Sequence, residues 1–177
     1  MTLPIKHSMY KYTTKWPKYI ILHHSEELKL NDSSTFLDTR KFQVNKLAKT
    51  FYSLENEYLP YNFIVEQVDD EYNIITSAPL FTKINYLDLD DVYQESIHIG
   101  LLGNYDIMKV DTKLYNVLSL RVIVPMMRNF NINIENVVKH SDVSLNPNNN
   151  CPGDSVDMAV LRMYIKNNMK VRALTRV

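Results

Sequence analysis

Glycine and cysteine are scarce in this chain, with three glycines and one cysteine in 177 residues. A single cysteine excludes an internal disulfide, so Cys151 is a small buried hydrophobe, a nucleophile or a metal ligand. Charge of one sign is not in excess either, since 20 basic side chains balance 20 acidic ones. Without a broad positive field, neither nucleic acid nor an anionic membrane is an expected partner. Long apolar runs are also missing: no segment approaches the roughly 20 residues of a membrane-spanning helix. The segment from Met1 to Tyr19 interleaves Lys6, Lys11, Lys15 and Lys18 with polar residues, which is not the pattern of a signal peptide. The expectation is a chain made in the cytoplasm without a signal peptide. A monomer is the expected state.

What is present fits one domain, because 45% hydrophobic residues in a chain of this length can bury a core without staples. Tyr19 to Leu22 reads as a buried strand that delivers His23 and His24 at its end. Strand side chains alternate between faces, so only one of these histidines is expected to face a given site. A turn at Asn31 to Thr35 precedes Phe36, Leu37, Val44, Leu47, Ala48, Phe51 and Leu54 at helical spacing. Pro60 to Val68 and Tyr72 to Thr76 read as adjacent strands or a hairpin around Asp69 to Glu71. Ser77 to Glu95 has no clear period and is expected to be a long surface loop. Its acidic residues Asp88, Asp90 and Asp91 lack the glycine and terminal glutamate of a calcium loop and read as a solvated face.

Ile97 to Leu102 reads as another buried strand, and a helix is expected from Lys113 to Asn129, kinked or ended by Pro125. Val137 and Val138 lead into His140, and an Asn-rich loop spans Asn146 to Asn150. Asp154 or Ser155 is the expected cap of a last helix through Leu161 and Ile165, with Lys166 to Val177 as a basic, fraying tail. The expected organisation is an arm at 1–18, a main domain at 19–168 and a tail at 169–177. Strands alternating with helices give an α/β class, with helices flanking a central mixed β-sheet.

Two histidines and a cysteine meet the donor requirement of a catalytic zinc site, which uses three protein ligands and leaves a fourth position for water. His23, His140 and Cys151 are the candidates. Spacing alone leaves open that these are hydrogen-bonded histidines and a buried thiol, because ligands so far apart match no structural zinc finger. His98, inside an apolar strand, reads as a satisfied core histidine, and His7 as an exposed residue of the arm.

Five ordered segments are more specific: Tyr19-Ile-Ile-Leu-His-His-Ser25, Pro60-Tyr-Asn-Phe63, Ser96-Ile-His-Ile-Gly-Leu-Leu-Gly-Asn104, Lys139-His-Ser-Asp-Val143 and Cys151-Pro-Gly153. In this order they resemble the type 2 N-acetylmuramoyl-L-alanine amidases, the family of phage endolysins and peptidoglycan recognition proteins. The likeness runs from about Tyr19 to Ile165, and Gly100, Gly103 and Gly153 all fall inside matched segments.

The resemblance implies that His23, His140 and Cys151 hold zinc. It implies that Tyr61 and Asn149 serve catalysis, and that the substrate is the amide between N-acetylmuramic acid and L-alanine in peptidoglycan. By position His24 is a packed neighbour, and it would replace His23 only if the register were shifted. The chain departs from the pattern at Asn149, where many phage members carry lysine, and at 77–95, which has neither histidine nor glycine. These departures keep a second expectation in play, a non-catalytic peptidoglycan-binding or virion-structural module. A third is a cysteine hydrolase using Cys151 and His140, its thiol activated by the nearby helix N-terminus.

Overall fold

Each run of branched and aromatic residues forms a strand, and five strands join in one sheet. The computed structural model describes residues 15–25, 61–68, 70–81 and 91–174. The strands are β1 (Tyr19–His24), β2 (Phe63–Val68), β3 (Glu71–Thr76), β4 (Ser96–Leu101) and β5 (Val137–Lys139), in the order β3-β2-β4-β1-β5. Strand β1 pairs in parallel with both β4 and β5, β2 pairs in parallel with β4, and only β3 is antiparallel, to β2. The sheet is thus mixed, as expected. The expected pairing of β2 with β3 is present, while the helix expected over Phe36 to Leu54 lies outside the described residues.

Alternation along the central strands sorts their side chains onto two faces. Ile20 and Leu22 of β1, with Ile97, Ile99 and Leu101 of β4, join the main core. There they meet Leu114, Leu118, Ile123, Leu161 and Ile165 from the helices that cover this face. Odd positions of β1 and even positions of β4 point the other way, so His23, His98 and Gly100 share the second face.

The helix expected from Lys113 to Asn129 runs as α2 (Thr112–Val117), a π-helical stretch (Leu118–Ile123) and α3 (Val124–Phe130). Asp111 caps it, its side chain accepting from the Leu114 N–H at 2.7 Å. Pro125 offers no N–H and its ring crowds the carbonyl four residues back, so the helix widens just before it. There Val124 donates to the carbonyl of Ser119, five residues away.

Two sequence expectations are corrected at the C-terminal end. The last helix (Met158–Leu174) is capped by Asp157, whose Oδ1 accepts from the N–H groups of Ala159 and Val160, and not by Asp154 or Ser155. It also continues through Leu174, so residues 166–174 extend the helix where a fraying tail was expected. The apolar spacing carries on past Ile165, which lets helix propensity prevail over the basic charge. Among the described residues, no helix is long and apolar enough to cross a membrane.

Candidate functional site

The site forms at the carboxyl ends of the parallel strands, where α/β sheets place their ligands. Register brings the two histidines together: Leu22 pairs with Lys139, so the next residues, His23 still within β1 and His140 just past the end of β5, stand side by side with ring centroids 4.6 Å apart. His140 opens a single helical turn (His140–Val143), whose Asp142 accepts from the backbone N–H of Lys139 at 2.9 Å.

Cys151 reaches the same point from the loop that follows. Its Sγ accepts the backbone N–H of His24 at 3.3 Å, and its carbonyl accepts the N–H of Ser141 at 2.8 Å. Gly153 lets the loop pass against Tyr105: its φ is +100°, and a Cβ there would stand 2.4 Å from the Tyr105 carbonyl carbon. One donor atom each from His23, His140 and Cys151 lies within 4.8 Å of the others. A tetrahedral zinc at ordinary bond lengths separates its ligands by about 3.3–3.8 Å, so a small inward movement closes this set on one ion.

His24 does not compete for that position. It faces the opposite side of β1, where its Nδ1 accepts the backbone N–H of Tyr105 at 3.1 Å. Asn149 lies at the rim, with its Nδ2 3.3 Å from both ring nitrogens of His140 and its Oδ1 accepting the Cys151 N–H at 2.9 Å. One side chain thereby ties two of the three donor residues together. Tyr61 is buried with its ring centroid 5.5 Å from that of His23.

Behind the donors lies a layer that the residue pattern only partly foretold. His98 is buried and hydrogen-bonded, as expected of a core histidine, but its Nδ1 stands 3.0 Å from His23 Nε2 and its Nε2 stands 2.9 Å from the Tyr93 carbonyl oxygen. Tyr93 belongs to α1 (Asp91–Gln94), a short helix within the segment expected to be surface loop. The Tyr93 ring is buried, stacked on His98 and edge-on to His140. The Ser96 hydroxyl ties this helix to β4 by donating to the Val92 carbonyl. The expectation for 77–95 is therefore corrected at its end: residues 91–94 form a helix whose Tyr93 packs against the site, while Asp88 and Asp90 lie outside the described residues.

Asn62 performs a similar bracing task. Its Oδ1 accepts the His98 N–H at 2.8 Å, its backbone N–H donates to the His98 carbonyl at 2.9 Å, and its Nδ2 donates to the carbonyls of Ala78 and Pro79. A signal for His98 was present in the sequence. It stands two residues before Gly100 on one strand, so the two share a face, and Gly100 pairs with His23.

Burial holds the His23 imidazole well below its ordinary range, and the rings of His98, His140 and His24 act in the same direction. Burial likewise pushes His98 down to about 4, against the opposing bond to the Tyr93 carbonyl and with a further lowering from His140. Both rings are therefore neutral at physiological pH, and neutral imidazole is the form that ligates a metal.

No family model matches the sequence, and no curated protein matches it. Solved structures do match. The N-acetylmuramoyl-L-alanine amidase LysC from Clostridium intestinale URNW superposes with a TM-score of 0.64 at 16% identity, covering 90% of this chain and 95% of that one. The Ph2119 endolysin from the Thermus scotoductus MAT2119 bacteriophage gives 0.59 at 14%, covering 90% and 92%. A point mutant of Drosophila PGRP-LB in complex with tracheal cytotoxin gives 0.61 at 16%, covering 83% and 81%. The mixed five-stranded sheet with its flanking helices is thus the fold that type 2 N-acetylmuramoyl-L-alanine amidases, endolysins and peptidoglycan recognition proteins share.

Proposed function

We propose that this chain is a zinc-dependent N-acetylmuramoyl-L-alanine amidase that hydrolyses the amide between N-acetylmuramic acid and L-alanine in peptidoglycan. The observation that carries the reading is the convergence of two imidazoles and one thiol at the carboxyl ends of β1 and β5, within a fold shared with amidases. Three donors of this chemistry suit a catalytic zinc, whereas closed structural sites use four. When bound, zinc supplies Lewis-acid activation of water and of an amide carbonyl.

The chain's own residues do the rest. His23, His140 and Cys151 would hold the ion. Tyr61, beside His23, offers its phenol to the charge that develops on the carbonyl oxygen. Asn149 offers an amide N–H at the rim, without the positive charge that a lysine would supply there. The protein acts on the bacterial cell wall, released from a phage-infected host or carried in a virion.

The test mixes purified, zinc-supplemented protein with peptidoglycan and follows the release of L-alanine amino termini. We expect release that a chelator abolishes and added zinc restores. A second reading, a peptidoglycan-binding module without activity, draws on the neighbour solved with tracheal cytotoxin. Binding without release, unchanged by chelator, would overturn the enzyme in favour of that module.

A further inference from the structure

The three buried groups Tyr93, His98 and His23 form a line of two hydrogen bonds, and the order of donors along it follows from the chemistry of its end. A backbone carbonyl only accepts, so at 2.9 Å from the Tyr93 oxygen the Nε2 of His98 carries a proton. In a neutral ring the other nitrogen then carries a lone pair, so Nδ1 of His98 accepts. The nitrogen 3.0 Å away, Nε2 of His23, must therefore donate. A protonated Nε2 leaves Nδ1 of His23 with the lone pair. We propose that His98 is a positioning residue that fixes the tautomer of His23, so that Nδ1 is the metal-binding atom, with the Tyr93 carbonyl as the anchor of the relay.

The relay is built rather than incidental. Asn62 grips the backbone of His98 on both sides, through its side-chain oxygen and its own N–H. The Tyr93 ring stacks on His98 at 5.9 Å between centroids and 14° between planes, which limits rotation of the imidazole. The short helix α1 supplies both this ring and the anchoring carbonyl. Outer partners of this kind fix the ring orientation and raise the basicity of the ligating nitrogen.

The inference rests on the metal reading of His23, and its test separates the two. Nitrogen-15 NMR of the metal-free wild-type protein reads the tautomer directly, and we expect His23 protonated at Nε2 with Nδ1 bare. Protonation at Nδ1 overturns the relay, whatever the protein's metal affinity. Zinc affinity, measured by competition with a chelator, is then compared across variants. His98→Leu, which cannot accept, is expected to lose about 10- to 100-fold, and His98→Gln, which can both donate and accept, to regain most of it. Wild-type affinity in His98→Leu, or an equal loss in both variants, overturns the positioning role. If wild-type protein carries the expected tautomer yet takes up no zinc, the relay stands and the amidase reading falls.

Discussion

The ring of Tyr61 lies directly over Gly100, where a Cβ would come within 2.4 Å of its Cδ2 and 2.6 Å of its Cε2. Gly100 also pairs in register with His23, so the absence of a side chain on β4 makes the space that seats the phenol beside a donor. Gly100→Ala is expected to push the ring away and to cost about 1–3 kcal/mol of stability. Urea unfolding measures that loss, and amidase turnover should fall by more than the folded fraction explains. An unchanged rate would show that the position of Tyr61 does not matter.

Tyr61→Phe separates packing from chemistry. The ring, and with it the contact to Gly100, is kept, so stability and zinc content should hold. Turnover should drop by about 100-fold, as expected for the loss of one donor to a developing oxyanion. Full activity in this variant removes the phenol from the mechanism.

Removing a donor acts differently. Cys151→Ser and His140→Ala are each expected to abolish stoichiometric zinc together with amide cleavage, read by elemental analysis of the purified protein. Retained metal in either variant would place the ion elsewhere.

Asn149 links Cys151 to His140, so Asn149→Ala should loosen both. Loss of one hydrogen bond is worth about 1 kcal/mol, or roughly fivefold in zinc affinity. Chelator competition at fixed pH measures it. An affinity equal to wild type would confine Asn149 to other duties.

Acid should destabilise the metal-free protein. The pKa of His98 is lowered from 6.5 to about 4 in the folded chain, so the unfolded chain binds more protons between those values. Stability is therefore full above the unfolded value, is lost as pH falls from about 6.5 to about 4, and levels off below. The full loss from this group is on the order of 3 kcal/mol, and His23 shifts in the same direction. Denaturant midpoints across this range should fall with pH, and His98→Gln should flatten the slope. A profile identical to wild type in that variant would rule out His98 as the source.

The strands could be read from sequence because each carries a strong local sign, whereas His23, His140 and Cys151 stood out as a set only through the five ordered segments. Tyr19 to Leu22 is a short, branched run that must be buried, and it delivers His23 and His24 at the carboxyl end of the strand. Cys151 could not be told from a core thiol by spacing, because only the register of β1 with β5 and the fold of the loop after His140 bring it to the histidines. Tyr93 was hidden because α1 is one turn long, too short to show a helical period. His98 read correctly as a satisfied histidine, but its partner lies across a strand pairing that no local pattern specifies. The cap at Asp157 was missed among several nearby candidates, since Asp154, Ser155 and Asp157 all carry suitable oxygens.

Strand β1 sits between two partners that arrive much later along the chain, with Ile20 facing Ile97 on one side and Val137 on the other. Closing such long loops is slow, because the entropy of closure must be met before any contact repays it. A polypeptide emerging from the ribosome thus presents His23 long before His140 and Cys151 exist to join it. The three-residue cluster can therefore assemble only after Cys151 has been made, and a chain ended before His140 is left with His23 alone of the three.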